Sequence, residues 1–324
     1  MWKGNGLLWN KIQEGEGNIM SDNINKFDRE IWQKALILDT KLRQDGEMLG
    51  RNRLMKYLNT SEKLAEYIAF VLKNRDIINC SNIIYPTKAK DIELCFGDLH
   101  IPFQDRGALS VMFEYADLFH PNIVTIMGDL LDCYQISTFL KNPIRGKRLF
   151  EEIQEGKEFL YEVRDRYPEA KIILYRGNHE ERIERYICDK APQLAELVES
   201  LLPEKLELNK LNIEYITEPF VIGKLWHLHG SERTGGGYNP EHILNVLIQY
   251  VEDHFVTFHY HRSQSKTFKR IGNRYWNTNS VGYLATDLDY AKMNKWQQGF
   301  GIVEYEEDGS FTFHNKTILN GSIY

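Results

Sequence analysis

Three features that would assign a protein class at once are scarce or missing in this chain of 324 residues. Its four cysteines stand far apart and form no CxxC pair, which argues against a disulfide framework or zinc ribbon and favours a reducing compartment, the cytoplasm. No apolar run approaches the roughly 18 residues of a membrane span, and the N-terminus lacks the apolar core of a signal peptide, so we expect no membrane partner. The formal net charge of −6 gives no overall basic signature for nucleic acid, but leaves room for a local basic face.

Composition is otherwise that of a globular protein, with 42% hydrophobic and 27% charged residues. A chain of this length can hold two or three domains. We predict a flexible arm over residues 1–25, a helical domain over residues 26–80 and an α/β domain over residues 91–324. The segment 76–91 is predicted to be a linker with a turn at Pro86.

The helical domain is predicted from apolar residues at three-to-four spacing. One helix begins near Phe27, a second spans residues 51–58 and a third spans residues 62–74, with Thr60 or Ser61 as its cap. Two short helices across a tight turn resemble a helix-turn-helix, whose second helix can enter the DNA major groove. Six basic residues would then contact phosphates: Arg51, Arg53, Lys56, Lys63, Lys73 and Arg75. The alternative is a small helical bundle with a solvated charged face. In a phosphomonoesterase these helices would serve as a lid or dimerisation element.

From residue 91 onwards, short apolar runs alternate with amphipathic helices, which predicts a layered α/β fold. Five of these runs end at a polar corner. In chain order the corners read Gly97-Asp98-Leu99-His100, Gly128-Asp129-Leu130-Leu131-Asp132, Gly177-Asn178-His179-Glu180, His227-Leu228-His229-Gly230 and His259-Tyr260-His261. Open α/β sheets place ligands at the carboxyl ends of their strands, so we expect these corners to meet. Later segments predict β hairpins around Gly272-Asn273 and Asp308-Gly309.

The corners carry side chains that can bind a metal ion. Residues two apart on an extended chain share a face, so each pair in Asp98-Leu99-His100 and His259-Tyr260-His261 can point at one centre. Carboxylate, amide and imidazole donors without thiolate suit manganese, iron or zinc. About seven ligands are too many for one ion and suit two ions that share a carboxylate. Two such ions roughly 3.5–4 Å apart can clamp a phosphoryl group for in-line displacement.

The motifs GDLH, GDLLD, GNHE, HG and HYH, in this order, resemble those of the calcineurin-like metallophosphoesterase superfamily over about residues 91–324. The resemblance implies a four-layer α/β sandwich, in which two mixed β-sheets are flanked by helices, here preceded by the small helical domain. It implies two divalent ions, with manganese as the first choice and iron, zinc or nickel as alternatives. The first ion would take Asp98, His100, Asp129 and His261. The second would take Asp129, Asn178, His229 and His259, so that Asp129 bridges.

The resemblance also implies roles for the residues around the ions. A hydroxide between the ions would attack phosphorus, and His179 is the candidate general acid or a donor to the phosphoryl group. Asp132 and Glu180 are expected to orient imidazoles. Arg182 is a candidate substrate-binding residue, against the alternative of a solvated ion pair on a helix face. Arg233 is a second candidate.

Two positions leave alternatives open. His227 shares a face with His229, and we favour His229 as the ligand because Gly230 follows it. The glycine-rich loop over residues 231–238, which contains Arg233, is either a lid or a plain loop.

The motifs also depart from those of protein phosphatases. Phe258 stands where a glycine usually precedes the last histidine pair, and Cys133-Tyr134 follows Asp132 where those phosphatases have Arg-Gly after the aspartate. With Ile101-Pro102-Phe103 and a helical N-terminal segment, the chain resembles bacteriophage or prophage members, which would act in the host-cell cytoplasm.

We predict a phosphodiesterase or nuclease that acts on DNA. Support comes from the helix-turn-helix-like segment and from the hairpin over residues 266–274, whose Lys269, Arg270 and Arg274 lie near Tyr275 and Trp276, as in single-strand binding surfaces. The alternative is that this hairpin covers a core. Alternative functions are a phosphomonoesterase for proteins or small metabolites and a DNA-binding regulator with a vestigial site. The oligomeric state stays open.

Overall fold

The computed structural model describes residues 34, 35, 38, 51–58, 83–84, 91–138, 147–232, 239–286 and 295–324. Helix α1 (Arg51–Leu58) has the predicted bounds. The predicted arm and the third predicted helix lie outside the described residues, as does most of the first helix. The domain boundaries and the DNA-binding role of the N-terminal segment therefore stay predictions.

The strands of the described residues form two mixed sheets. The first sheet has the order β13-β12-β11-β2-β3-β4-β5, in which β2 to β5 are parallel and β11 to β13 are antiparallel. Its strands are β2 (Asp91–Phe96), β3 (Ile123–Met127), β4 (Lys171–Tyr175), β5 (Ile213–Ile216), β11 (Gln298–Tyr305), β12 (Phe311–Leu319) and β13 (Ser322–Ile323).

The second sheet has the order β1-β6-β7-β8-β10-β9. Its strands are β1 (Ile83–Ile84), β6 (Phe220–Ile222), β7 (Leu225–Leu228), β8 (Phe255–Thr257), β9 (Gln264–Arg270) and β10 (Arg274–Ser280). β7 and β8 are parallel to each other, and β9 and β10 form the hairpin predicted around Gly272-Asn273. β1 pairs with β6, so two residues of the predicted linker belong to a sheet.

Helices alternate with the strands, as predicted. They are α2 (Arg106–Asp117), α3 (Leu149–Arg166), α4 (Asn178–Lys190), α5 (Val198–Lys205) and α6 (Ile243–Val251). Asp105 caps α2 by accepting hydrogen bonds from the N–H groups of Gly107 and Ala108. Before α5 the chain forms a 3₁₀ turn, Pro192–Leu197, that continues into this helix.

Alternating side chains of the first sheet build two core layers. In β4, Ile173 and Tyr175 face the second sheet and pack with its residues Phe220 and Val256. The intervening Leu174 points to the other side, into a cluster covered by helices α2 and α3. Helix α6 covers the outer face of the second sheet. This confirms the prediction of two mixed sheets flanked by helices.

Short strands account for the parts of the fold that the sequence did not predict. β5 and β6 have four and three residues, too few for an alternating pattern to be distinguished from a loop. In the described part of the chain, no helix combines the length and the apolar character needed to cross a bilayer.

Candidate metal centre

The predicted ligands lie where strands of both sheets end. Asp98 and His100 follow β2, Asp129 follows β3, and Asn178 opens α4 just beyond β4. His229 follows β7, while His259 and His261 follow β8. Because β2, β3 and β4 are parallel neighbours, as are β7 and β8, their carboxyl ends meet at one edge of the sandwich.

Five of the predicted ligands have left-handed backbone conformations. Their φ angles are 53° for Asp98, 48° for His100, 49° for Asp129, 64° for His259 and 56° for His261. Non-glycine residues rarely adopt this region, and its strain is tolerated where surrounding contacts hold it. Here the N–H of Asp98 donates to the Gly128 carbonyl at 3.0 Å, and the N–H of His100 donates to the Asp129 carbonyl at 2.9 Å. Such strain at ligand positions is typical of a functional site.

A first donor group consists of Asp98, His100 and His261, whose donor atoms lie within 4.8 Å of one another. Nε2 of His261 is 3.3 Å from Nε2 of His100 and 3.6 Å from Oδ1 of Asp98. That Oδ1 is buried and accepts no hydrogen bond within the described residues. Burial raises the pKa of Asp98, but His261 and His229 lower it more, so the carboxyl is held below its usual range. An anionic oxygen that accepts no hydrogen bond and lies beside two imidazoles is a suitable ligand for a divalent cation.

A second donor group consists of Asp129, His229 and His259, again within 4.8 Å. Nε2 of His229 is 3.3 Å from Oδ2 of Asp129 and 3.1 Å from Oδ1 of Asn178. Nδ1 of His229 donates to the Met127 carbonyl at 2.8 Å, which directs Nε2 at the centre. Burial lowers the pKa of His229, but the Asp129 charge outweighs it and raises that pKa to about 10. The centre thus attracts a positive charge, which a metal ion would supply in place of the proton.

The Asp129 carboxylate lies between the two donor groups. Its Oδ2 is 3.3 Å from Nε2 of His229 in the second group and 3.9 Å from Nε2 of His100 in the first. Its Oδ1 accepts the backbone N–H of His179 at 2.9 Å, which fixes the carboxylate. The structure therefore brings all seven predicted ligands together around one shared carboxylate.

Asp132, His179 and Arg182 form the wall beside the first donor group. Oδ1 of Asp132 is 3.2 Å from Nδ1 of His100 and 3.3 Å from Nδ1 of His179, as expected for a residue that orients imidazoles. His179 is buried, and its ring centre is 4.5 Å from that of His100. Nη1 of Arg182 donates to the Asp132 carbonyl at 2.9 Å, and Nη2 donates to Nε2 of His179 at 2.7 Å. Arg182 thus reaches the site, whereas Arg233 lies outside the described residues.

Glu180 has a different role from the one predicted. It accepts backbone N–H groups from Gly177 at 2.9 Å, Asp129 at 3.1 Å and Leu131 at 2.8 Å, where an imidazole was expected. The carboxylate therefore ties the corner after β3 to the start of α4. Burial, followed by the Asp129 charge, raises the pKa of Glu180 to about 7.

His227 is held away from the centre by a buried polar network between the sheets. Its Nε2 is 3.0 Å from Oε1 of Glu93, whose carboxylate also accepts from Thr125 at 2.5 Å and Tyr305 at 2.6 Å. Burial raises the pKa of Glu93, but His227 and the two hydroxyl groups hold it below its usual range. The structure thus places His229 with the donors and His227 in an inter-sheet contact.

One further contribution to the site was not predicted from the sequence. Oε1 of Glu232 accepts the His229 N–H and the Tyr175 hydroxyl at 2.7 Å each, and its Oε2 accepts the Gly230 N–H at 2.7 Å. This fixes the backbone of a predicted ligand; the only sequence signal was an acidic residue three positions after that ligand. Gly177 allows a close approach, because a Cβ there would lie 2.2 Å from N and Oδ1 of Asp129.

Comparisons with known proteins identify the family of this chain. The family model for calcineurin-like phosphoesterases matches residues 94–295. The Gene 54 protein of Mycobacterium phage L5 is 28% identical over 222 residues, which cover 64% of this chain and 86% of that protein.

Solved structures are matched at lower identity. Vps29 of Entamoeba histolytica is 16% identical, with a TM-score of 0.40, over 72% of this chain and 96% of that one. Yfce, a phosphoesterase from E. coli, is 13% identical, with a TM-score of 0.31, over 69% of this chain and 98% of that one.

Proposed function

The chain belongs to the calcineurin-like phosphoesterase family, and from that premise we propose that it is a phosphodiesterase that cleaves DNA with two divalent ions, manganese being the first choice. Members of this family are phosphoesterases, so the chain is a phosphoester hydrolase. The cleaved diester bond, the DNA that carries it and the choice of metal are proposed.

The position of Asp129 between two donor groups supports the proposal of two ions. The first ion would be held by Asp98, His100 and His261, and the second by Asn178, His229 and His259. Oδ2 of Asp129 faces both groups. The donors are carboxylate, amide and imidazole without thiolate, which suits manganese and also leaves iron, zinc and nickel open.

The position of each residue determines its role in catalysis. When bound, the ions would neutralise charge on the phosphoryl group and activate water. His179 lies beside the donors and gives a proton to the leaving oxygen. The carboxylate of Asp132 lies next to Nδ1 of His179 and orients the ring. Arg182, whose guanidinium lies next to His179, offers positive charge to a phosphoryl oxygen.

One observation supports a nucleic acid as the substrate: the β9–β10 hairpin carries the basic and aromatic residues that single-strand binding surfaces use. Separately, the Gene 54 relative comes from a mycobacteriophage. We propose accordingly that the chain is phage-encoded and acts in the host-cell cytoplasm.

The test compares two small substrates, p-nitrophenyl phosphate and bis-p-nitrophenyl phosphate, with manganese present. We expect faster turnover of the diester by the wild-type protein and little turnover of either substrate by Asp129→Asn. A preference for the diester leads directly to assays on single- and double-stranded DNA. A preference for the monoester would overturn the nuclease proposal in favour of a phosphatase of proteins or metabolites.

A further inference from the structure

The β9–β10 hairpin is positively charged, although the protein as a whole is acidic. Residues 254–286 contain five Lys and Arg residues and no Asp or Glu, whereas the whole chain has a formal net charge of −6. Four of these cations lie on the two strands of the hairpin: Lys266, Lys269, Arg270 and Arg274.

These four cations lack the carboxylate partners that other surface cations have. Arg106, Arg148 and Arg185, for example, each have a carboxylate oxygen within 2.9 Å. Within the described residues no Asp or Glu lies within 4.0 Å of a hairpin cation, and Nε of Arg270 is buried without a hydrogen-bond acceptor. The hairpin thus presents a concentrated positive charge that a polyanion can neutralise.

Aromatic rings accompany the cations. Lys266 lies 4.8 Å from the Phe268 ring centre, Lys269 lies 5.7 Å from that of Tyr275, and Arg270 lies 4.3 Å from that of Trp276.

The aromatic residues are not equally buried. Phe268 and Trp276 pack against the cluster under α6, so one face of the hairpin does cover a core. On the other face, Tyr275 is 50% exposed. In the strand register Tyr275 lies opposite Lys269, whereas Lys266, Arg270 and Arg274 alternate onto the face of Phe268 and Trp276. A ring that is open to solvent beside a lysine can stack on a base.

The position of the hairpin connects it to the metal centre. β9 is an edge strand of its sheet among the described strands, and it begins at Gln264, three residues after the predicted ligand His261. With about 3.3 Å per residue, Lys266 and Arg270 lie at most roughly 17 Å and 30 Å along the chain from His261. A ligand that reaches from the hairpin to the centre must be an extended polymer.

We propose that the β9–β10 hairpin binds the phosphate backbone of single-stranded nucleic acid and guides that strand to the metal centre. The guiding step rests on the proposed function, whereas the binding step does not. The bound strand lies along the edge strand β9. Lys269 contacts a phosphate from the face of Tyr275, which stacks on a base. Lys266 and Arg274 contact phosphates from the other face. A single strand is favoured over a duplex because its bases are free to stack on an exposed ring.

The test measures binding of a fluorescein-labelled phosphorothioate (dT)12 to the full-length, manganese-loaded protein by anisotropy. This strand keeps the backbone charge and resists cleavage. The variant Lys266→Gln/Lys269→Gln/Arg274→Gln should bind at least tenfold more weakly at 0.1 M salt. The slope of log K against log salt concentration should be less negative than that of the wild type by about 2. This change corresponds to three lost phosphate contacts on a single strand.

A matched control removes the same charge elsewhere. Arg106→Gln/Arg148→Gln/Arg185→Gln neutralises three exposed cations that have carboxylate partners, and it should bind within twofold of the wild type. Tyr275→Leu tests stacking without a change of charge and should weaken binding at least fivefold. Circular dichroism and thermal unfolding establish that each variant is folded, and Tyr275→Leu keeps the test decisive if the triple variant is not.

Four results would overturn the proposal. They are unchanged binding by the hairpin variants, an equal loss in the matched control, tighter binding of a 12-base-pair duplex than of the single strand, and a wild-type dimer that the hairpin variant converts to a monomer. Turnover of bis-p-nitrophenyl phosphate separates this proposal from the proposed function. Turnover without strand binding refutes the hairpin proposal alone, and strand binding without diester turnover refutes the proposed phosphodiesterase alone.

Discussion

Arg182 donates a hydrogen bond from Nη2 to Nε2 of His179 at 2.7 Å. Nδ1 of the same imidazole is 2.8 Å from the Asp132 carbonyl, to which its N–H donates. In this arrangement Nε2 accepts a hydrogen bond from Arg182. Burial lowers the pKa of His179, but Asp129 and Asp132 outweigh it and hold that pKa above its usual range. For His179 to act as a general acid, substrate must therefore draw Arg182 towards a phosphoryl oxygen, and Nε2 then takes from solvent the proton that it donates.

The first prediction concerns His179. His179→Gln should retain both metal ions and lower kcat by roughly 10²–10⁴, the usual contribution of a general acid. Metal content by elemental analysis and kcat on bis-p-nitrophenyl phosphate are the measurements. Loss of metal from His179→Gln would contradict the acid role and make His179 a ligand.

The second prediction concerns the shared carboxylate. Asp129→Asn should lose much of the bound manganese, because Oδ2 of Asp129 faces both donor groups. Asp189→Asn, which changes an exposed aspartate paired with Lys190, serves as the control and should bind metal like the wild type. Full metal occupancy in Asp129→Asn would refute the bridge.

The sequence was sufficient to predict which side chains meet at the centre. Each candidate ligand directly follows an apolar run, and the ends of parallel strands share an edge, so their meeting follows from the fold class. His227 and His229 were harder to separate, because both lie on one face of β7 by alternation. His229 lies beyond the last residue of that strand, at the open edge, whereas His227 lies inside the sandwich opposite Glu93.

What the sequence did not reveal depends on contacts between distant segments. Glu93 and His227 are 134 residues apart, and neither has a neighbour in the sequence that signals the pair. Glu180 was expected to orient an imidazole, but it accepts the backbone N–H groups of Asp129 and Leu131 after β3. Such pairings need the packing of two sheets and cannot be read from spacing along one chain.

The third prediction tests the close approach at the corner after β4. Gly177→Ala would place a Cβ 2.2 Å from N and Oδ1 of Asp129, so the carboxylate must move. We expect at least a tenfold loss of kcat and reduced metal content. Gly107→Ala is the control, because its Cβ meets only Oδ1 of Asp105, at 3.3 Å, in the first turn of α2. Equal activity of the two variants would show that the corner tolerates a side chain.

The fourth prediction concerns the buried pair between the sheets. Glu93→Ala leaves His227 and two hydroxyl groups without their acceptor and should lower the free energy of unfolding by about 3–5 kcal/mol. Glu162→Ala, which breaks the exposed pair with Arg106, should cost about 1 kcal/mol or less. Urea unfolding at pH 7 measures both. A loss from Glu93→Ala no larger than that of the surface variant would mean that the network adds nothing to stability.

The fifth prediction uses His254, which lies at the opposite end of β8 from the metal centre. Burial, followed by the charge of Lys224, lowers the pKa of His254 to about 4, and its Nδ1 accepts the Asn277 N–H at 2.9 Å. An unfolded histidine has a pKa of about 6.5, so between these values the unfolded chain binds the proton and the folded chain does not. The contribution of His254 to stability is therefore complete above pH 6.5 and is lost as the pH falls towards 4, by at most about 3 kcal/mol.

His254→Asn provides the comparison, because its side-chain oxygen can accept the same N–H but cannot be protonated in this range. The unfolding free energies of wild type and variant are measured in urea at pH 7 and pH 4.5. Between these pH values the wild type should lose about 2 kcal/mol more stability than the variant. Other titrating groups cancel in this difference because both proteins share them. His242→Asn, at an exposed histidine, should follow the wild type. A constant difference between wild type and His254→Asn would mean that His254 titrates alike in the folded and unfolded chains.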